Sequence, residues 1–225
     1  MTSERVLVLF PHPDDETMAV GGPVALYAHQ GATVTYACFT LGQMGRNMGR
    51  PFFATRESLP IIRERELRDA CEALGIQDLR LLGYRDKTLE FEPIETLIAE
   101  ILGLVEELQP TVVITYYPRY CVHPDHEAIA DATVGALERI AEPERPLLLC
   151  QAFSQNHEQV LGARDVVFDT GPVWDRVYSA LKAHASQSAD WVARIEQGLA
   201  AGGEERQKVI DGMSTAGLYR YRFAQ

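Results

Sequence analysis

Two short stretches hold residues able to do chemistry together: Pro11-His12-Pro13-Asp14-Asp15-Glu16 and His123-Pro124-Asp125-His126. Each follows an apolar run, Val6 to Phe10 and Val112 to Tyr116, that reads as a buried strand. Acids at the end of a buried strand are costly unless they are paired or bind a cation. His and Asp are good ligands for a metal such as zinc. In each stretch two candidate ligands stand three residues apart, His12 with Asp15 and His123 with His126. A catalytic zinc takes three protein ligands and keeps a position for water. Four candidates for three positions leave at least one with another job. Asp14, adjacent to Asp15, does not easily share its face. It is left as a free carboxylate where a general base belongs. The metal would bring the pKa of a water it binds towards about 7 and polarise a carbonyl. A His off the metal can stabilise an oxyanion or protonate a leaving amine. Asp125 can hold that imidazole in one tautomer. These parts describe metal-assisted amide hydrolysis. Either stretch alone also reads as a cap or an Asx turn. The pair, each closing a strand, points to a site. Magnesium chemistry on phosphates accounts for the acids but not for the histidines.

The elements that must position these residues alternate. Strands are expected over 5–10, 33–39, 79–82, 111–117, 147–152 and 165–168. Helices are expected over 17–30, 61–74, 93–108, 127–140, 172–185 and 187–200. The tail, 204–225, reads as a short helix followed by a final strand or a docked extension. This alternation predicts an α/β fold, Rossmann-like, with a mostly parallel sheet flanked by helices. In such a sheet the metal site lies at the carboxyl ends of the strands, where both motifs sit. Gly21-Gly22 is not a dinucleotide fingerprint. No repeat or linker divides the chain, so a single domain over 1–225 is expected. The glycine-rich loop over 41–60 reads as a surface loop or as a substrate lid that supplies Arg46, Arg50 or Arg56 to an anionic group.

Composition sets the class. The chain has 225 residues, 46% hydrophobic and 24% charged, as a globular protein does. A net charge of −11 argues against general nucleic-acid binding. It leaves room for an anionic small substrate, because a local arginine cluster overrides the global field. The four cysteines form no C-x-x-C pair and read as reduced thiols. The apolar run after Met1-Thr2-Ser3-Glu4-Arg5 is too short for a signal peptide, and no segment reaches the roughly 20 apolar residues of a membrane span. A soluble cytoplasmic protein without membrane or nucleic-acid partners is expected.

On these residues the sequence resembles the PIG-L/LmbE family of zinc-dependent N-acetylglucosaminyl deacetylases. The family signature (A/P)-H-P-D-D-E stands at Pro11 to Glu16, and H-P-D-H at His123 to His126. R-x-x-E-L (Arg63 to Leu67), L-G-Y-R-D (Leu82 to Asp86) and K-x-x-x-S-Q (Lys182 to Gln187) recur as well. The Gly-Arg-Asn loop with Phe53 to Ser58 looks most like the subgroup that deacetylates N-acetylglucosaminyl malate in bacillithiol biosynthesis. The resemblance implies His12, Asp15 and His126 as zinc ligands, with Fe2+ another candidate metal, and Asp14 as general base. It implies His123 as the group on the oxyanion or amine, oriented by Asp125, and Arg63 as the substrate arginine. Where some relatives have a tyrosine this chain has His184. Either His184 or Tyr120 then replaces its contact with the reacting carbonyl, or that contact is missing. A homo-oligomer is implied too. Alternatives are a mycothiol-type or chitooligosaccharide amidase and a non-catalytic sugar-binding protein.

Overall fold

The first strand, β1 (Arg5–Phe10), is buried on both faces. Val6, Val8 and Phe10 point into one apolar layer, Leu7 and Leu9 into the other. In the computed structural model, which describes residues 4–224, this strand lies in a seven-stranded sheet. The elements run in chain order: α1 (Asp15–Met18), α2 (Gly21–His29), β2 (Thr33–Thr40), α3 (Leu59–Leu74), β3 (Asp78–Tyr84), α4 (Ile94–Leu108), β4 (Val112–Tyr116) and α5 (Pro124–Glu138). Then follow β5 (Leu147–Gln151), α6 (His157–Leu161), β6 (Val166–Asp169), α7 (Trp174–Ala183), α8 (Ala185–Ala201), α9 (Gly203–Ser214) and β7 (Thr215–Arg220).

The strand order is β3-β2-β1-β4-β5-β7-β6. The first five strands are parallel, and β7 runs antiparallel to both β5 and β6. Helices cover both faces, as a parallel sheet requires. One layer packs Val24 of α2, Leu67 and Leu74 of α3 and Ala180 of α7 against β1 and β2. The other packs Leu97, Ile101 and Leu104 of α4 and Ile129 and Leu137 of α5. Connections leave β1 towards β2 on one side and return to β4 on the other. The carboxyl ends of β1 and β4 therefore flank the point where strand order reverses, the usual place for a ligand crevice. Among the described residues no helix is long and apolar enough to cross a membrane.

Two expected elements differ. The helix expected over 17–30 is two helices, α1 and α2. Pro23 has no N–H to continue the ladder across the break. The helix expected from Glu127 starts at Pro124, whose fixed φ suits a first turn. The tail forms a helix, α9, and then a final strand, β7, one of the two forms expected for it, and β7 lies between β5 and β6 in the sheet. Gln225, in the expected tail element, and Met1–Ser3 lie outside the described residues.

Candidate active site

The chain leaves β1 at Phe10 and turns sharply, so His12, Asp14 and Asp15 all lie over the end of the sheet. Asp14 sits at φ 95, in the left-handed region that an aspartate tolerates better than most residues. Its N–H donates to Glu16 Oε2 at 2.9 Å, which holds the bend. Beyond β4 the chain reaches His123, which caps α5. The His123 Nδ1 accepts the Asp125 N–H at 3.1 Å. His126, one turn further on, faces His12 and Asp15.

His12, Asp15 and His126 offer ligand atoms that all lie within 4.8 Å of one another. His12 Nδ1 is 3.2 Å from His126 Nε2 and 3.5 Å from Asp15 Oδ2. The far sides of both rings are occupied. His12 Nε2 lies 3.1 Å from Asp86 Oδ1 and 3.2 Å from Asp125 Oδ2. His126 Nδ1 lies 3.3 Å from the Cys121 carbonyl. Those acceptors assign the ring protons to the far sides, so two imidazole lone pairs and a carboxylate converge on one point. A metal cation satisfies such a convergence, as does a proton on His12 Nδ1. The three donors, two nitrogens and one oxygen, suit a divalent transition metal, and carboxylate-backed imidazoles are the usual support of such ligands.

Asp15 is fixed from three directions. Its Oδ2 accepts the His12 N–H at 2.9 Å, and its Oδ1 accepts the Tyr116 hydroxyl at 2.6 Å. The Tyr116 ring stacks on His126 at 4.2 Å between centroids. Burial opposes ionisation of Asp15, but the charge of His126, the His12 contacts and the Tyr116 hydroxyl hold its carboxyl below the usual range. Asp14 differs. Burial pushes its pKa up to about 6, against the Arg63 guanidinium beside it, 3.1 Å from Oδ2. The two adjacent acids are thus pushed apart in acidity by their surroundings. Burial, with the charge of His12, holds the His123 imidazole below its ordinary value.

Arg63, on α3, is buried and spans the turn and the glycine loop. It donates to the carbonyls of Pro13 and Gly42. A Cβ at Gly42 would stand 1.9 Å from the Arg63 Nη1, so only glycine lets the loop approach. Behind Asp14, Glu16 is wholly buried and bonds His184 Nε2 at 2.6 Å. Glu16 holds that imidazole above its ordinary pKa despite the opposing effect of burial.

A cavity of about 440 Å³ opens over the cluster, lined by His12, Asp14, Asp15, Arg63, His123 and His126 together with residues of two loops. Of the residues expected to bind substrate, Arg63 and Arg46 line it. The structure places the other expected residues elsewhere. His184 is wholly buried behind Asp14 on Glu16, so no substrate reaches it. Arg56 braces its own loop, donating to the carbonyls of Gln43 and Gly45. Tyr120 is outside the cavity lining among the described residues and packs its ring on Tyr117. Arg50 points away as well, to Asp190 at 2.7 Å. The carboxylate of Asp125 is on His12, not on His123, which it meets through its backbone N–H. Asp86, Tyr116 and Glu16 support the site without having been singled out as site residues. Their position at or just past a strand end, on the sheet edge that carries the site, was the available signal.

The chain is similar to known proteins in sequence and in fold. A Bacillus cereus protein named as probable N-acetyl-alpha-D-glucosaminyl L-malate deacetylase 2 is 52% identical over 184 residues, 82% of this chain and 84% of its own. Among solved structures, the 4-carboxy-2-hydroxymuconate hydratase GalB of Pseudomonas putida superposes with a TM-score of 0.72 at 22% identity, covering 99% of this chain and 98% of its own. The N,N'-diacetylchitobiose deacetylase of Pyrococcus horikoshii does so with 0.70 at 20% identity, covering 98% of this chain and 84% of its own. At those identities the likeness is one of fold. The family model described as GlcNAc-PI de-N-acetylase, PIG-L, matches residues 7–137. That span runs from β1 through both turns and nearly to the end of α5, and the chain belongs to the PIG-L family.

Proposed function

We propose that this chain is a zinc-dependent deacetylase that hydrolyses the N-acetyl group of N-acetylglucosaminyl malate, releasing acetate, in a bacillithiol-type biosynthesis. The likeness to the Bacillus cereus protein over most of both chains supports the substrate. The observation that carries the chemistry is Asp14, a carboxylate beside the converging ligand atoms but outside their set. His12, Asp15 and His126 would hold the metal. When bound, it supplies Lewis acidity at the amide carbonyl and a more acidic water.

The protein's own groups do the rest. Asp14 takes the proton of the attacking water and returns it to the departing amine. Arg63 fixes that carboxylate in position. His123 has its Nδ1 committed as acceptor to the helix backbone, so its ring proton sits on Nε2. That proton is free to donate to the oxyanion of the tetrahedral intermediate. Asp125 and Asp86 hold His12 in the tautomer that presents Nδ1. A single domain, homo-oligomerisation and a cytoplasmic location belong to the same reading. The four buried free cysteines are in keeping with a reducing compartment.

The test is amine release from N-acetylglucosaminyl malate by the purified protein, with chelation and zinc add-back. Release that disappears with chelator and returns with zinc is expected. Release from another N-acetylglucosaminide alone would keep the chemistry and remove the substrate. No release from metal-loaded protein on either would overturn the reading.

A further inference from the structure

The cavity over the ligand cluster has two ends of opposite charge. Its floor carries Asp14, Asp15 and Asp86, each held by the contacts already described. Its rim carries two cations, Arg46 and Lys87. Neither side chain has an ion pair or a hydrogen bond among the described residues. In a chain with 32 acids against 21 Lys and Arg, two unpaired cations on one cavity mark a place for an anion.

Lys87 is positioned closely. It sits at φ 64, in the left-handed region, where a glycine would sit without strain and a lysine does not. Its N–H donates to Asp125 Oδ2 at 2.7 Å, the same oxygen that lies 3.2 Å from His12 Nε2. The lysine backbone is thus bonded to the support of a ligand. Arg46 is tied to the same place from the other side. Two residues before it, the Met44 N–H donates to Asp86 Oδ2 at 2.6 Å, and Asp86 precedes Lys87. The backbone segments that carry the two rim cations are thus tied to Asp86 and to Asp125, while their side chains stay exposed at the cavity mouth.

We infer that Lys87, with Arg46, is the specificity-determining pair that binds the carboxylates of an anionic aglycone while the acetamide lies at the metal end. This rests on the deacetylase reading and names the chemistry by which that site would choose its substrate: a small sugar amide carrying one or two carboxylates. Arg46 suits a bidentate carboxylate contact, and Lys87 a point charge.

The experiment compares N-acetylglucosaminyl malate with neutral methyl N-acetylglucosaminide on the zinc-loaded wild type, Lys87→Met, Lys87→Gly and Lys87→Arg. In Lys87→Met the KM for the acidic substrate is expected to rise about tenfold, and the acidic-to-neutral ratio of kcat/KM to fall by a similar factor. Lys87→Arg restores most of that ratio. Lys87→Gly loses discrimination while its unfolding midpoint rises, because glycine relieves the backbone. In the wild type the ratio shrinks as salt screens the rim. An unchanged ratio in Lys87→Met, or equal losses on both substrates, would overturn the assignment and leave the deacetylase reading standing. A wild type that releases amine from neither substrate would overturn both.

Discussion

The tripeptide His-Pro-Asp occurs twice at the site, and the two copies do opposite things. In the first, His12 faces the other ligands and Asp14 bulges at φ 95, with its carboxylate on the cavity and Arg63. In the second, His123 caps a helix, and Asp125 turns its carboxylate into the interior. There it accepts the N–H groups of Lys87 and Leu89 and contacts His12. The difference comes from the backbone that follows. After Asp14 the chain enters only a four-residue helix, α1. After His123, Pro124 opens the fifteen-residue α5, and Asp125 is fixed in its first turn. In each copy the residue after the Asp, Asp15 or His126, brings an atom to the cluster that could hold a metal. Equal letters therefore say where a site is, and local backbone decides which letter does the chemistry.

The largest effect should come from Asp14→Asn, which keeps size and metal but removes the base. A fall in kcat of about a thousandfold is expected, with metal content unchanged by elemental analysis. The wild type should show an acid limb in kcat/KM at or below about pH 6, since Asp14 must be ionised to act and a bound cation lowers its pKa further. Full activity in Asp14→Asn would end the distinction between the two aspartates. His123→Ala should cost about a hundredfold in kcat with little change in KM, the loss of one oxyanion donor. Losing the metal in that variant would move His123 into the ligand set. Asp125→Asn should be the mildest of the three, because Asp125 acts through His12. A drop of about tenfold in metal affinity, rescued by added zinc, is expected. A loss that zinc does not rescue would give Asp125 a direct part in the reaction.

Much of this was legible in the sequence because it was contiguous. Strand ends, turns and the two His-Pro-Asp motifs are local, and the switch-point rule then brings them to one edge. The strand run at Val6 to Phe10 could be read because both its faces are buried, leaving no polar alternation to confuse it. What was not legible depends on partners far apart in the chain. His184 read as a substrate contact, yet it is wholly buried on Glu16, 168 residues away in sequence. Asp86 looked like part of a turn and proves to back His12. Arg46 and Arg56 were equivalent as letters. Only the fold of their loop turns one to the cavity and the other to its own carbonyls. The choice between donors is made by tertiary packing, which residue type does not encode.

The last strand also sets an order of events for a chain made from its N-terminus. By the time His126 has emerged, β1, β4 and both His-Pro-Asp turns exist, so the ligand residues can already be brought together. Glu16 has the Asp14 N–H and the Thr17 hydroxyl from the start and must wait only for His184, its last partner. The wait for the sheet is longer. β5 ends at Gln151, and the strand that covers its outer side, β7, begins at Thr215. Over that stretch of synthesis the β5 edge is an open row of backbone donors and acceptors, the kind of edge that recruits other chains. β6 cannot cover it, since its hydrogen-bonded neighbour is β7 itself. The nascent protein would thus be most exposed to mispairing at a time when its chemistry is already nearly assembled.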